Sequence, residues 1–234
     1  MKVFCLSEWL RRYRWRIFLT FAGMGVGIFF ALNWLLSVNP FPAERLEALP
    51  ESGVLLDRHN RVLTRTLTDE EQWRLPISLS EISPWLKRAT IAVEDERFRS
   101  HSGVDFVSVA RASFQNIFAL EVVSGASTLG MQLCRMLEPR PRTFEVKLSE
   151  AARAWQADEY LSKDEILRAY LNLAPYGGNL NGVEAASQRY FGKSAKELSL
   201  PEAALLAGIP QSPSRLRPDR YPGTAKRRRD KVLD

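Results

Sequence analysis

From Ile17 to Val38 the chain carries no charged residue, and only Thr20, Asn33 and Ser37 are clearly polar. A run of about 20 apolar residues is long enough to cross the hydrocarbon core as a helix, so this stretch predicts a transmembrane segment. Arg11, Arg12, Arg14 and Arg16 precede it directly. The positive-inside bias then puts the N-terminus in the cytoplasm and everything after Val38 outside. A cleaved signal peptide is the competing reading. Its apolar core runs only about 7–15 residues and ends in a small-residue cleavage pattern, which Ser37-Val38-Asn39-Pro40 lacks. The pattern therefore favours an uncleaved anchor.

Beyond the anchor the periodicity changes. Asn39 to Pro50, with Pro40, Pro42 and Pro50, has little periodicity and reads as a linker. Val54 to Leu63 predicts two short strands around a polar turn, and Pro76 to Ser83 a loop. From Pro84 onward Leu86, Ala89, Thr90 and Val93 fall on one face of a helix that ends at Glu94 and Asp95. Two capping boxes start later helices: Ser162 to Glu165, and Ser199 to Glu202 with Pro201 in the first turn. Strand signals are few after residue 75. The expected architecture is mainly α, with a small β element near residues 54–66. The expected divisions are residues 1–16 in the cytoplasm, 17–38 as anchor, 39–75 as linker and hairpin, and 76–234 as the main domain.

Composition adds less. At 45% hydrophobic and 26% charged residues the chain is globular. A net charge of +6 points to an acidic partner. A nucleic acid is the wrong one, because the basic remainder lies on the outer side of the predicted membrane. Cys5 and Cys134 fall on opposite sides of that span, so no disulfide is expected, and two isolated cysteines make no zinc pattern.

The candidate chemistry lies in polar clusters. Glu94 and Asp95 end an apolar helix, where a cation would be the favoured charge. An acidic pair there is locally unfavourable, as functional positions often are. His101, with Gly103 after it, reads as an anchor for the following loop. Ser127 and Thr128 start the next helix, on which Thr128, Gln132 and Arg135 share a face at i, i+4 and i+7. A hydroxyl, an amide and a guanidinium in a row suit a sugar or a diphosphate. The plainer reading is an N-cap on an amphipathic helix. Lys147 and Glu150 lie at i, i+3, which taken alone is a surface ion pair worth under about 0.5 kcal/mol. Arg227, Arg228 and Arg229 read as a solvated face or as contacts to lipid phosphates.

Taken in order, these clusters resemble the five signatures of the family 51 glycosyltransferases, the peptidoglycan polymerases of class A penicillin-binding proteins and of monofunctional enzymes. Glu94-Asp95, Phe98, His101 and Gly103 match the first, and Gly125 to Thr128 with Gln132 the second. Lys147 with Glu150 matches the third. Lys163, Ile166 and Tyr170-Leu171-Asn172 match the fourth, and Arg228-Arg229 with Val232-Leu233 the fifth. Met131-Gln132, Pro139 to Thr143 and Pro210 to Asp219 resemble the 1C type.

The resemblance implies a lysozyme-like, mostly helical fold. It implies that Glu94 is a general base acting on the 4-hydroxyl of an acceptor N-acetylglucosamine. That oxygen would invert the anomeric centre of lipid II's N-acetylmuramic acid and expel undecaprenyl diphosphate. Glu150 would assist as a second carboxylate or as partner to a divalent metal, magnesium or manganese. Substrate contacts would come from Asp95, Phe98, His101, Ser127, Thr128, Gln132, Arg135, Lys147, Arg228 and Arg229, with Asp95 and His101 holding the loop in shape. The expected partners are lipid II, the growing glycan strand, the membrane and cell-wall synthesis proteins.

The chain departs from the family pattern at Ala126 for glycine, Met131 for glutamine, Arg135 for lysine and Val146 for arginine. It contains no Ser-x-x-Lys or Lys-Thr-Gly, the equipment of a penicillin-binding transpeptidase. It ends at Asp234 inside the fifth signature, which reads as a truncated chain or a fragment of a longer bifunctional protein. Two other functions fit the same residues: a lysozyme-like enzyme using a protonated glutamate as acid, and a non-catalytic module that binds lipid II.

Overall fold

A computed structural model describes residues 6–59, 61–119 and 127–234. The chain divides into two compact units, residues 1–40 and 41–234.

The first unit is one helix, α1 (Leu6–Val38), which starts ahead of the arginines, well before the expected boundary at residue 17. Its apolar side chains, Phe18, Leu19, Phe21, Phe29, Phe30 and Trp34 among them, are exposed. The three polar residues of the apolar run bond back to the helix's own carbonyls. Thr20 Oγ1 donates to Arg16 O, Asn33 Nδ2 to Phe29 O and Ser37 Oγ to Trp34 O, at 2.8–2.9 Å. Each of these side chains thus returns a donor to the helix backbone, which lowers the cost of placing it in hydrocarbon. The helix is long and apolar enough to cross a membrane.

The second unit begins with α2 (Ala43–Glu47). Strands β1 (Val54–Leu56) and β2 (Val62–Arg65) form the expected antiparallel hairpin. Asp57 closes its turn by accepting from the His59 and Arg61 amides, both at 2.8 Å. A short strand β3 (Trp73–Arg74) follows. Residues 41–75 are not a free linker. Phe41 is buried and its amide donates to Gln156 Oε1 at 2.9 Å. The buried Arg74 holds the 50–52 turn through Pro50 O and Ser52 Oγ.

The helical body is α3 (Pro84–Glu94), α4 (Phe106–Ala119), α5 (Leu129–Leu137), α6 (Phe144–Tyr160) and α7 (Lys163–Leu173), then α8 (Val183–Phe191), α9 (Leu200–Gly208) and α10 (Pro222–Leu233). Between α7 and α8 a strand β4 (Leu180–Asn181) runs parallel to β3. The expected loop at 76–83 holds one 3-10 turn, Leu79–Glu81. Both expected capping boxes are present, at Ser162 and Ser199.

Helix α5 is the centre of the core. Leu129, Met131, Leu133, Cys134 and Leu137 are all buried, and α6 and α7 pack on it. Met131 therefore stands in the apolar core, where the family's glutamine would need a partner. The Cys134 thiol is pushed up to about 12 by burial and is structural, while Cys5 lies outside the described residues. The alanine-rich α9 packs closely between α3 and α10 and so brings the C-terminal arginines toward the end of α3.

Candidate active site

Glu94 is the last residue of α3, and Asp95 caps it. The Asp95 carboxylate joins three segments. It accepts from His101 Nε2 at 2.9 and 3.0 Å, and from the Leu129 amide at the start of α5 at 3.0 Å. Accepting from a helix N-terminus stabilises a buried negative charge. The loop between is pinned at every turn. Phe98 is buried against the His101 ring, and Lys163 lies over Phe98 and donates to His101 O at 2.6 Å. Thr128 accepts from the Met131 amide, donates to Gly103 O at 2.6 Å and is buried. The first two sequence signatures are thus one hydrogen-bonded unit. Within it Asp95, Phe98, His101 and Thr128 are committed to other protein groups.

Glu94 itself faces a small polar cleft of about 160 Å³ that it shares with Glu96, Arg111 and Ser127. Gln132 Nε2 donates to Glu94 Oε2 at 2.8 Å, and the Gln132 oxygen lies 3.5 Å from the Tyr170 hydroxyl. Burial raises the Glu94 pKa above the ordinary carboxylate range. The Gln132 bond and the charge of Arg228 pull it down, while Asp95 pushes it further up. Tyr170 and Tyr176 lie beneath, both fully buried, with phenol pKa values raised by burial and by the nearby Glu94 charge. They therefore remain neutral. A carboxylate made more basic by its surroundings, yet reachable from a cleft, suits proton abstraction near neutral pH.

The relation predicts a pH effect. Gln132→Leu removes the hydrogen bond that favours the charged form of Glu94. The acid limb of kcat/KM against pH then moves further up, and activity is lost at a higher pH than in the parent. An unchanged limb in the variant would show that Gln132 does not tune this carboxylate.

A second cleft, of about 510 Å³, is lined by Ser127, Arg135, Arg142, Val146, Lys147 and Glu150, and Ser127 also lines the first. Arg135 grips Glu150 through two parallel bonds, Nε–Oε1 and Nη2–Oε2, each 2.8 Å. Glu150 therefore pairs with Arg135 and not with Lys147 on its own helix. With that pair neutral, Lys147 and Arg142 are left to give the cleft its positive charge. Neither has an ion-pair partner among the described residues. Val146 stands among them, so Arg142 is the additional cation of this wall. The site does not fit a metal at Glu150. Both its oxygens are held by Arg135, and no group of three acidic, His or Cys ligands occurs among the described residues.

Arg228 lies against Gly208, and its Nε is buried without a partner. Arg229 instead bonds Asp230, at 2.5 Å. Gly125 and Ala126 of the second signature lie outside the described residues. Sequence reasoning missed Asp105, which caps α4 at the Ser108 amide and is clamped by Arg97 at 3.0 and 2.5 Å. Its signal was an aspartate three residues before a serine at a helix start. It also missed Arg142 and Tyr176, which no local pattern marks.

The family model described as Transglycosylase matches residues 59–234. The chain belongs to the transglycosylase family. It is 44% identical to Penicillin-binding protein 1C of Escherichia coli over 87% of this chain and 27% of that protein. Penicillin-binding protein 2D of Bacillus subtilis is 38% identical over 79% of this chain and 27% of its own length. Penicillin-binding protein 1A of Escherichia coli is 42% identical over 70% and 19%. The chain thus spans about a quarter of the length of the curated relatives it matches. A crystal structure of Penicillin-Binding Protein 1A from Haemophilus influenzae covers 79% of this chain and 18% of its own, at 24% identity and a TM-score of 0.42, too distant to inform the site. In a transglycosylase, Glu94 and the cationic cleft lie within the matched region. Together with the relatives, the apolar α1 suggests a membrane-anchored protein.

Proposed function

We propose that this transglycosylase polymerises lipid II into glycan strands, with Glu94 as general base. The observation that carries the reading is Glu94 itself. It is a partly buried carboxyl with a raised pKa, oriented by Gln132, in a cleft that meets a cationic one at Ser127. Glu94 takes the proton from the acceptor 4-hydroxyl, whose oxygen attacks the anomeric carbon of the donor from the opposite face. The bond to the diphosphate oxygen breaks with inversion. Lys147 and Arg142 neutralise the charge that develops on the leaving diphosphate, the main electrostatic demand of such a transition state. Arg135 holds Glu150 beside them, and Arg228 adds positive charge near Glu94.

Anchoring fits this chemistry. A substrate carried by a lipid and an enzyme carried by α1 share one plane, which raises their effective concentration. The arginines before α1 favour an orientation with the catalytic unit outside the cytoplasmic membrane. Other cell-wall synthesis proteins are the partners such an enzyme would meet there.

Purified chain in detergent, given lipid II, is expected to yield glycan polymer and undecaprenyl diphosphate in step. Release of soluble fragments from cell-wall sacculi, without polymer from lipid II, would assign it to a glycan-cleaving enzyme instead. Binding of lipid II with no turnover would make it a binding module.

A further inference from the structure

Gly208 stands where the backbone does not ask for glycine. It is the last residue of α9, is buried, and has no positive φ. The rest of that helix is rich in alanine, which is the better helix former. What fills the space of the missing side chain is Arg228 of α10. A Cβ at position 208 would lie 2.8 Å from Arg228 Cγ, and 3.3 and 3.5 Å from its Nε and Cδ. The overlap falls near the root of the arginine, so a swing of the guanidinium alone does not relieve it. An alanine there would turn the whole side chain aside.

The spacing along α10 presents Arg228 to α9. Ala225 is buried and Val232 packs on the core, and Arg228 shares their face at i+3 and i+7. Its two neighbours are engaged on their own helix: Arg227 Nη2 donates to Thr224 Oγ1 at 3.1 Å, and Arg229 bonds Asp230. Arg228 has no ion-pair partner among the described residues, so its charge is not cancelled locally. Helix α9 packs between α10 and α3, and Glu94 is the last residue of α3. The charge of Arg228 acts on Glu94 through protein rather than water, where such interactions are stronger, and opposes the upward push of burial. The other groups around Glu94 differ in kind. Asp95 beside it pushes its pKa up, and Gln132 of α5 donates to it. Glu96, Arg111 and Asp105 line the same cleft, with Asp105 clamped by Arg97. Tyr170 of α7 and Tyr176 beyond it are neutral.

We propose that Gly208 is a positioning residue: its missing side chain is a notch at the end of α9 that lets Arg228 lie across that helix and carry its charge toward Glu94. Gly208 touches no substrate and acts only through Arg228. The effect on turnover rests on Glu94 being the general base, while the contact and its effect on the Glu94 carboxyl are read without the reaction.

Two readouts on the full chain in detergent test this. One is the titration of the Glu94 carboxyl, followed by its carbon-13 resonance in protein labelled at the glutamate side chains and assigned by its loss in Glu94→Gln. The other is kcat/KM for lipid II against pH. Gly208→Ala is expected to raise the proton affinity of Glu94 by about threefold or more, roughly half a pH unit, as Arg228→Ala does. The acid limb of kcat/KM moves up with it, because the base is then protonated at a higher pH. Arg228→Lys keeps the charge and is expected to titrate like the parent. In the Arg228→Ala background Gly208→Ala is expected to add nothing, because the new methyl then meets empty space. The proposal is overturned if Gly208→Ala or Arg228→Ala titrates like the parent, whatever its thermal midpoint. It is also overturned if Gly208→Ala shifts the titration equally with and without the Arg228 side chain. Where Gly208→Ala alone does not fold, recovery of folding by Arg228→Ala supports the notch, and no recovery overturns it. A moved titration with an unmoved kcat/KM limb keeps the role of Gly208 and removes Glu94 as the base, so the two readings fail separately.

Discussion

Glu94→Gln is expected to cut lipid II polymerisation by about 10²–10⁴-fold, the usual worth of a positioned general base. The substitution keeps the shape of the side chain and removes only its ability to take a proton. Its other contacts survive: a glutamine oxygen still accepts from Gln132 Nε2, the 2.8 Å bond that orients the carboxylate. Folding should change little, because Glu94 ends α3 and is only partly buried. Thermal unfolding measured beside turnover separates the two effects. The expected pair is a near-parental midpoint and a collapsed rate. Parental turnover in this variant would remove Glu94 from the chemistry. In the parent, the raised pKa of Glu94 carries a sign that can also be checked. The base works only when deprotonated, so kcat/KM falls as the pH drops through a value above the ordinary glutamate range.

Much of this was legible in the sequence, for identifiable reasons. The long apolar helix α1 was visible because an uninterrupted apolar run of about 20 residues is a strong compositional signal. The helix starts at Ser162 and Ser199 were visible because capping is local chemistry, settled within four residues. The place of Glu94 at the end of α3 followed from the apolar period of Leu86 and Thr90, both buried as expected. What stayed hidden depends on contacts distant in sequence. Asp95 and Thr128 read as candidates for substrate contact. The structure engages them with Leu129 and Gly103 across 34 and 25 residues, and no window of sequence shows that. The pairing of Arg135 with Glu150 is of the same kind, and the i, i+3 spacing of Lys147 and Glu150 pointed elsewhere. Asn39 to Pro50 read as a linker for want of periodicity. They are held instead by single buried groups such as Phe41 and Arg74, which carry no periodic signal.

The cation set illustrates how the two readings combine. Val146 standing for an arginine suggests a weakened diphosphate site when only the motif is considered. The cleft holds Arg142 one turn earlier, on the approach to α6, facing the same space as Lys147. A positive wall built from different positions keeps its field, because electrostatic stabilisation depends on where charge lies and not on which residue number supplies it.

Gly103→Ala is expected to be the most damaging single-methyl change in the unit that holds Glu94. Gly103 has φ +75, and an added Cβ would lie 2.2 Å from the Ala154 carbonyl oxygen and 2.7 Å from the Trp155 Cα of α6. These are backbone atoms of a helix packed on α5, so no side-chain rotation relieves the overlap. Either α6 or the loop must move. Moving the loop breaks the Thr128 bond to Gly103 O and strains the His101–Asp95 pair, leaving buried polar groups unmatched. The combined cost is about 3–5 kcal/mol. For a chain of this size that lowers the unfolding midpoint by roughly 10 °C, at about 2–4 °C per kcal/mol. Gly192→Ala is the matched control. Its φ is +68, but nothing lies within 4 Å of the new Cβ. It therefore carries only the backbone penalty of about 1 kcal/mol for a left-handed alanine. Thermal unfolding of both variants in the same detergent measures the difference. Equal midpoints would mean that the close approach of Gly103 to α6 does not exist. A large gap would fix the loop against α6, and with it the position from which Asp95 and His101 hold the end of α3.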